Sequence, residues 1–237
     1  MKDRSQRCES SKFGGIHLEI FSILKSTFKD FYENLFKFVL LSTAWFISSF
    51  ILLFFVLIAL NSGWYLLLLI PVFFLGPLFL TSLYSADQIM KEGRIAFKSI
   101  FSYFKNEFWR GFLAFLFSSI LYIIFAVDLR FFLIRGQDNI WLLAFAFLFA
   151  YLLIYFTIYQ IYFWGLLVIQ KDSSFKEIFK NALVLSLDNI IFSLLLFLAV
   201  FVLTAILAVI GIGLPAGFIG IIGLLIIHST KEMLAKY

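Results

Sequence analysis

"FVLLSTAWFISSFILLFFVLIALNSGWYLLLLIPVFFLGPLFLTSLYSA", residues 38–86, contains no charged side chain. An α-helix rises about 1.5 Å per residue, so about 20 residues cross the ~30 Å hydrocarbon layer of a bilayer. The run is far too long for one crossing and must fold back. Asn61, Ser62 and Gly63 punctuate its middle, with Trp64 beside them. We read residues 38–60 as span one and 64–84 as span two. Pro71 and Pro77 fall inside span two; each removes a backbone donor and can kink the helix. Neighbouring helices tolerate that in a bilayer.

The rest of the chain has the same character. Of 237 residues, 63% are hydrophobic and 14% charged, and Phe contributes 34. A soluble domain is nearer half apolar and a quarter charged, so the apolar runs leave no room for one. The N-terminus does not read as a secretory signal, because charges are scattered from Lys2 to Lys37 before the first long apolar run. Cys8 is the only cysteine, so no intramolecular disulfide or CxxC site is expected. His17 and His228 lie far apart in sequence, and no metal site or other cofactor is expected.

Three more spans follow at residues 109–134, 141–169 and 189–210. The last charge-free run, 189–230, is about twice one crossing. Its "GIGLPAG" carries Gly211, Gly213, Pro215 and Gly217, which break helices. We therefore place a short span six at about 216–228, with a re-entrant or interfacial helix as the alternative. Basic residues collect on cytoplasmic loops. Six spans with both termini inside place seventeen of the nineteen Lys and Arg in the cytoplasm, leaving only Arg130 and Arg135 outside. The net charge of +5 thus records orientation, not nucleic-acid binding. The chain divides into a cytoplasmic and interfacial segment (1–37), one polytopic domain (38–228) and a cytoplasmic tail (229–237). The membrane is expected to be the bacterial cytoplasmic membrane.

Three similar pieces precede spans one, three and five: "TFKDFYENLFKF" from Thr27, "AFKSIFSYFKNEF" from Ala96 and "SFKEIFKNALVL" from Ser174. In the second, Phe97, Ile100, Phe101, Phe104 and Phe108 share one helical face, with Lys98, Ser102 and Lys105 opposite. Such an amphipathic helix suits the membrane interface. Ser174 and Glu177 have the spacing of a capping box. The pattern suggests three copies of an interfacial helix followed by a helical hairpin. The expected fold is therefore all-α: an integral membrane bundle of about six transmembrane helices, with amphipathic interfacial helices before spans one, three and five.

The stretches "GPLFLTSLYSADQIMKEG" (76–93), "FKNEFWRG" (104–111), "VDLRFFL" (127–133), "KNALVLSLDN" (180–189) and "GLPAGFIGIIGLL" resemble, in their order, the YesL-like family of bacterial membrane proteins. The resemblance covers most of the chain from about Phe38. Here Gly76 and Pro77 are contiguous, and Leu78 stands where the family pattern has Ala. The resemblance implies an accessory role beside carbohydrate-uptake systems, with a sugar-transporter permease as partner, and identifies no reaction.

No GxxxxGK[ST], HExxH or GxSxG motif is present, and the protein is not expected to be an enzyme. Two features could carry function. Asp128 and Arg130 interrupt the end of span three. If the hydrocarbon begins near Phe112, Asp128 lies about 24 Å along the helix, near the outer boundary. It either marks that boundary, the preferred reading, or anchors an outward-facing polar site. In span four, Tyr151, Tyr155, Tyr159 and Tyr162 share a face. They could line a cavity or stack on sugar rings; interhelical packing is the preferred reading. Gly76, Gly213 and Gly217 join Pro71, Pro77 and Pro215 as candidate packing or hinge positions. The leading expectation is a non-enzymatic accessory subunit of a carbohydrate-uptake system, with lipid, a permease or a second copy as partner. The alternative is a small transporter or channel lined by the tyrosines and Asp128.

Overall fold

The computed structural model describes residues 19–93 and 97–236. Cys8, His17, the basic residues Lys2, Arg4, Arg7 and Lys12, and Arg94 lie outside the described residues. Residues 19–33 form helix α1. Then come α2 (Leu35–Ser62), a 3-10 turn (Tyr65–Leu68), α3 (Leu69–Glu92), α4 (Phe97–Asn106) and α5 (Phe108–Arg135). They are followed by α6 (Ile140–Ile169), α7 (Phe175–Asp188), α8 (Ile190–Val209) and α9 (Gly213–Gly217). A π-helical stretch (Phe218–Gly223) leads into α10 (Leu224–Leu234). Six helical segments are long and apolar enough to cross a membrane: Leu35–Ser62, Tyr65–Glu92, Phe108–Arg135, Ile140–Ile169, Ile190–Val209 and Gly213–Leu234.

Span ends follow local chemistry. Gly63, at φ 74°, terminates α2 in a left-handed conformation that a side chain would strain. The Asn139 side chain accepts from the Trp141 N–H and caps α6. Ser174 and Glu177 form the expected capping box at the start of α7.

Two elements differ from the sequence reading. Span two continues past Tyr84 to Glu92, taking Asp87 with it. Pro71 lies in the first turn of α3, where an N–H has no intrahelical acceptor to lose. It therefore does not interrupt the helix, and Pro77 alone sits inside. The last span is not short. Gly213 and Pro215 lie in its first turn, and helical backbone continues through the π-helical stretch to Leu234, 22 residues in all. The turn away from α8 is made at Gly211, with φ 72°. Most of the supposed tail is thus helical.

A threefold plan is visible. Each of α1, α4 and α7 ends at a single non-helical residue, Asn34, Glu107 or Asn189, and a long span starts at the next residue. Three residues beyond the first two breaks stands a basic side chain. Lys37 donates to the Gly93 carbonyl at the end of α3. Arg110 donates to the carbonyls of Gln170 (2.6 Å), Lys171 and Ser173 (3.3 Å) at the end of α6. Each cation thus caps the C-terminus of the second helix in its own hairpin. In the third unit the polarity is reversed: Phe192 occupies that place, and Lys236, beyond α10, sits 5.6 Å over its ring. The Phe-Lys pairs at Phe28, Phe97 and Phe175 are not in register with these breaks. Each stands about one helical turn further from its break than the one before.

The units close on one another. The second helix of each hairpin packs on helices of the next unit: α3 on α5, α6 on α7 and α8, and α9 with the π-helical stretch on α2. Small residues set these crossings. A Cβ on Gly76 would overlap the Gly111 carbonyl and come to 2.5 Å from Phe115 Cβ, and one on Gly111 would come to 2.8 Å from Pro77 Cα. A Cβ on Gly220 would strike the Phe31 ring at 2.5 Å, and the Gly220 N–H donates to Ser42 Oγ of α2 (3.1 Å). The second helices α3, α6 and α10 meet at the centre, burying Leu80, Leu83, Leu166, Leu167, Leu225 and Ile227.

On the apolar face of α4, Phe101 is 71% exposed while Ile100 and Phe104 are half-buried, which suits an interfacial helix. Phe104 meets Phe108 edge-on. Tyr103, at the margin of that face, is the residue that turns inward, where it stacks on Tyr84 with ring centres 3.7 Å apart.

Candidate functional site

The most polar part of the interior lies where α3, α6 and α10 end. Asp87 is buried on α3, one residue past the long charge-free run. Its two carboxylate oxygens accept from different ammonium groups, Oδ2 from Lys91 (2.6 Å) and Oδ1 from Lys231 of α10 (2.7 Å). A buried carboxylate needs such partners, because burial removes its hydration. Beside it, Lys171 lies 4.0 Å from the centre of the Tyr84 ring and 5.3 Å from that of Tyr103, a cation–π arrangement. Burial, and then the neighbouring positive charge of Lys91, pull the Lys171 ammonium below the usual lysine range; Asp87, Glu107 and Asp172 oppose that. Burial, followed by the negative charge of Glu107, pushes the Tyr103 phenol up, so it stays protonated.

α10 is also tied to α1. His228 Nε2 lies 3.1 Å from Asp30 Oδ2, and its Nδ1 lies 3.1 Å from the Thr27 hydroxyl. A carboxylate only accepts, so the proton sits on Nε2; in the neutral ring Nδ1 then accepts from Thr27. The outcome is a closed, interlocked end in which Asp30, Asp87, His228 and Lys231 each have a partner. Among the described residues no group of three or more His, Cys, Asp or Glu could hold a metal.

The apolar middle holds a different feature. A half-open cavity of about 300 Å³ lies between α2, α3, α5 and α6. Phe79, which packs edge-on against Trp164 (4.9 Å between ring centres), lines it, as does Trp45 from α2. Its polar lining comes from Ser118, Ser119 and Tyr122 of α5 and Gln160 of α6. A second cavity of about 290 Å³ adjoins across Trp45, lined also by Ser49, Leu214 and Phe218. Gln160, Trp45 and Ser49 each have a buried polar atom with no partner.

The residues singled out from sequence are dispersed. Tyr155, Tyr159 and Tyr162 of α6 form a packing seam, and none of the four tyrosines lines the cavity. Tyr155 pairs with Ser186 Oγ and Tyr162 with Ser193 Oγ, both at 2.8 Å, while Tyr159 is buried against Phe156, Phe163 and Phe179. Tyr151 is 58% exposed. Asp128 is half-exposed on α5 and has no hydrogen bond or ion pair among the described residues. Gly76 and Pro77 make the α3–α5 crossing. Gly213 and Gly217 pack on Leu207 of α8, and the Pro215 carbonyl accepts from Thr43 Oγ1 of α2 (3.2 Å).

The sequence reading missed Asp87, Lys231 and the unpaired end of Gln160. Asp87 carried a signal, as the charge closest to a long apolar run. The pairing with Lys231, 144 positions later, carried none.

These features define a multi-pass helical membrane protein with an ion-paired end and an apolar centre that contains a polar-edged cavity. No family model, curated protein or solved structure matches the chain.

Proposed function

We propose that the protein is a non-enzymatic accessory subunit of the bacterial cytoplasmic membrane that serves a carbohydrate-uptake system by docking its permease. The observation that carries this reading is the outer half of the α5–α6 hairpin. From Phe125 outward the ring contacts of α5 run to α6: Phe125 to Phe149 and Phe156, and Phe132 to Phe145 and Phe149. Its other faces present Ile123, Val127, Phe131, Phe147, Leu148 and Ile154, all exposed. A two-helix arm that buries so little of itself, held by an interlocked opposite end, suits association with other membrane helices. The resemblance to the YesL-like family supports the sugar-uptake setting, and the distribution of Lys and Arg supports cytoplasmic termini.

The rival reading, a transporter or channel along the tyrosines and Asp128, has less support, because the hydroxyls of Tyr155 and Tyr162 are engaged in packing. Photo-crosslinkers at Phe131 and Phe147 in native membranes test the proposal. A discrete adduct with a permease is expected at both. Adducts with lipid alone, together with solute flux by the purified protein in liposomes, would favour the rival. For orientation, single cysteines at Ser62, Gln137 and Lys236 in a Cys8-free background should label from outside at the first two only; external labelling at Lys236 would refute cytoplasmic termini.

A further inference from the structure

We propose that the cavity between α2, α3, α5 and α6 binds a neutral amphiphile, with a hydroxyl head bonded to the Gln160 amide and an apolar body among Trp45, Phe79 and Trp164. The inference does not depend on a partner permease.

Gln160 is 8% exposed and lines the cavity. Ser118 Oγ lies 2.8 Å from the Ala114 carbonyl and 3.1 Å from the Gln160 amide oxygen. One hydroxyl has one proton and cannot donate to both. If Ser118 donates to Gln160, the amide N–H₂ has no partner. If it donates to Ala114, the amide must turn and donate to Ser118, and the amide oxygen has none. In either arrangement one end of a buried amide is unpartnered, which costs free energy; that end has almost no accessible surface, so the amide must swing toward the cavity for a ligand there to complete it. A hydroxyl can donate or accept, so it completes both arrangements. The Trp45 N–H, on a residue that lines the same space, is also without a partner.

The remaining lining excludes other classes. No Asp, Glu, Lys, Arg or His lines the space, so a charged ligand would be buried without a counter-ion. A sugar carries more hydroxyls than Ser118, Ser119, Gln160 and Tyr122, whose own hydroxyl is bonded to Thr157, can satisfy. Water alone fits poorly: at ~30 Å³ per molecule the volume corresponds to about ten waters, each seeking about three polar partners. A single polar head on an apolar body matches the few polar groups and the many aromatic ones.

The test uses the protein's own tryptophans in lipid nanodiscs. Trp64, Trp109 and Trp141 are exposed, so replacing them with Phe leaves Trp45 and Trp164 as reporters at the cavity. Quenching is measured with terminally brominated hexanol and with bromohexane, both expressed as mole fraction in the lipid. The expected result is saturable quenching by bromohexanol at a concentration about tenfold lower than bromohexane requires, the scale of one net hydrogen bond. Gln160→Leu, of similar bulk, should abolish that preference while retaining quenching by bromohexane. Equal quenching by both probes in the parent protein, unchanged in Gln160→Leu, would mean simple partitioning and would overturn the proposal. So would the absence of saturable quenching, which would leave the cavity to water. The comparison of the two probes in the parent protein stands even if Gln160→Leu fails to fold.

Discussion

The last span and the fourth are both long helices that run toward the ion-paired end, yet the protein uses them in opposite ways. Gly213–Leu234 is the least hydropathic of the six, and 67% of its most apolar stretch is buried inside the protein. Ile140–Ile169 is more apolar, yet only 11% of its corresponding stretch is buried. In water that order would be reversed. In lipid the solvent is as apolar as a leucine side chain, so hydropathy drives a helix into the bilayer but not against its neighbours. Association depends on close backbone approach and on polar groups that need partners. The last span has both: Gly220 and Gly223 admit Phe31 and Leu83, and His228 and Lys231 pair with Asp30 and Asp87. The half of α6 remote from the ion-paired end has neither. Its inner half acquires them at Gly165, where a Cβ would meet Thr230 of α10, and there α6 becomes buried.

If that contrast is right, substitutions at the polar end should cost far more than substitutions on the outer arm. The largest effect is expected for Lys231→Met. Removing one partner from a fully buried pair costs about 3–5 kcal/mol. Lys91 remains on the other oxygen and Lys231 is itself 32% exposed, so a loss of about 2 kcal/mol is expected. Asp87→Asn should cost less, since both lysines can turn toward solvent while a buried carboxylate cannot. Unfolding in a bilayer mimic, followed by titration with a denaturing detergent, measures both. Equal stability of Lys231→Met and the parent would remove the ion pair from any structural role.

A smaller effect sharpens the contrast within one helix. Tyr162→Phe leaves the buried Ser193 hydroxyl without its partner and should cost about 1 kcal/mol. Tyr151→Phe, on the outer half, should be neutral. If the two variants behave alike, the tyrosine seam is not divided between packing and exposure as described.

The smallest effect is expected for Asp128→Asn. Asp128 has no partner among the described residues and lies toward the C-terminal end of α5, so it is expected to act only as a boundary marker. Protein abundance, unfolding and sugar uptake by the intact system should all be unchanged. Loss of uptake at normal abundance would instead assign Asp128 to an external functional site.

The sequence determined whatever the solvent could enforce. Charge-free runs interrupted by Asn61–Gly63 and by the Gly211–Gly217 cluster place six crossings, because each apolar segment must satisfy its own backbone as a helix. Ser174 and Glu177 announced the start of α7, because a cap is a local bargain between residues three apart. The length of the last span was misjudged because Gly and Pro read the same at the start of a helix as in its interior, and only the Gly211 turn shows which applies. Tertiary structure alone decided which helices lie at the centre. It brought Lys231 to Asp87 and Lys37 to Gly93, and it left one end of the Gln160 amide without a partner beside a cavity. Such pairings depend on which helix surfaces meet, and in lipid no hydrophobic period marks those surfaces, since an apolar face is equally at home against protein and against acyl chains.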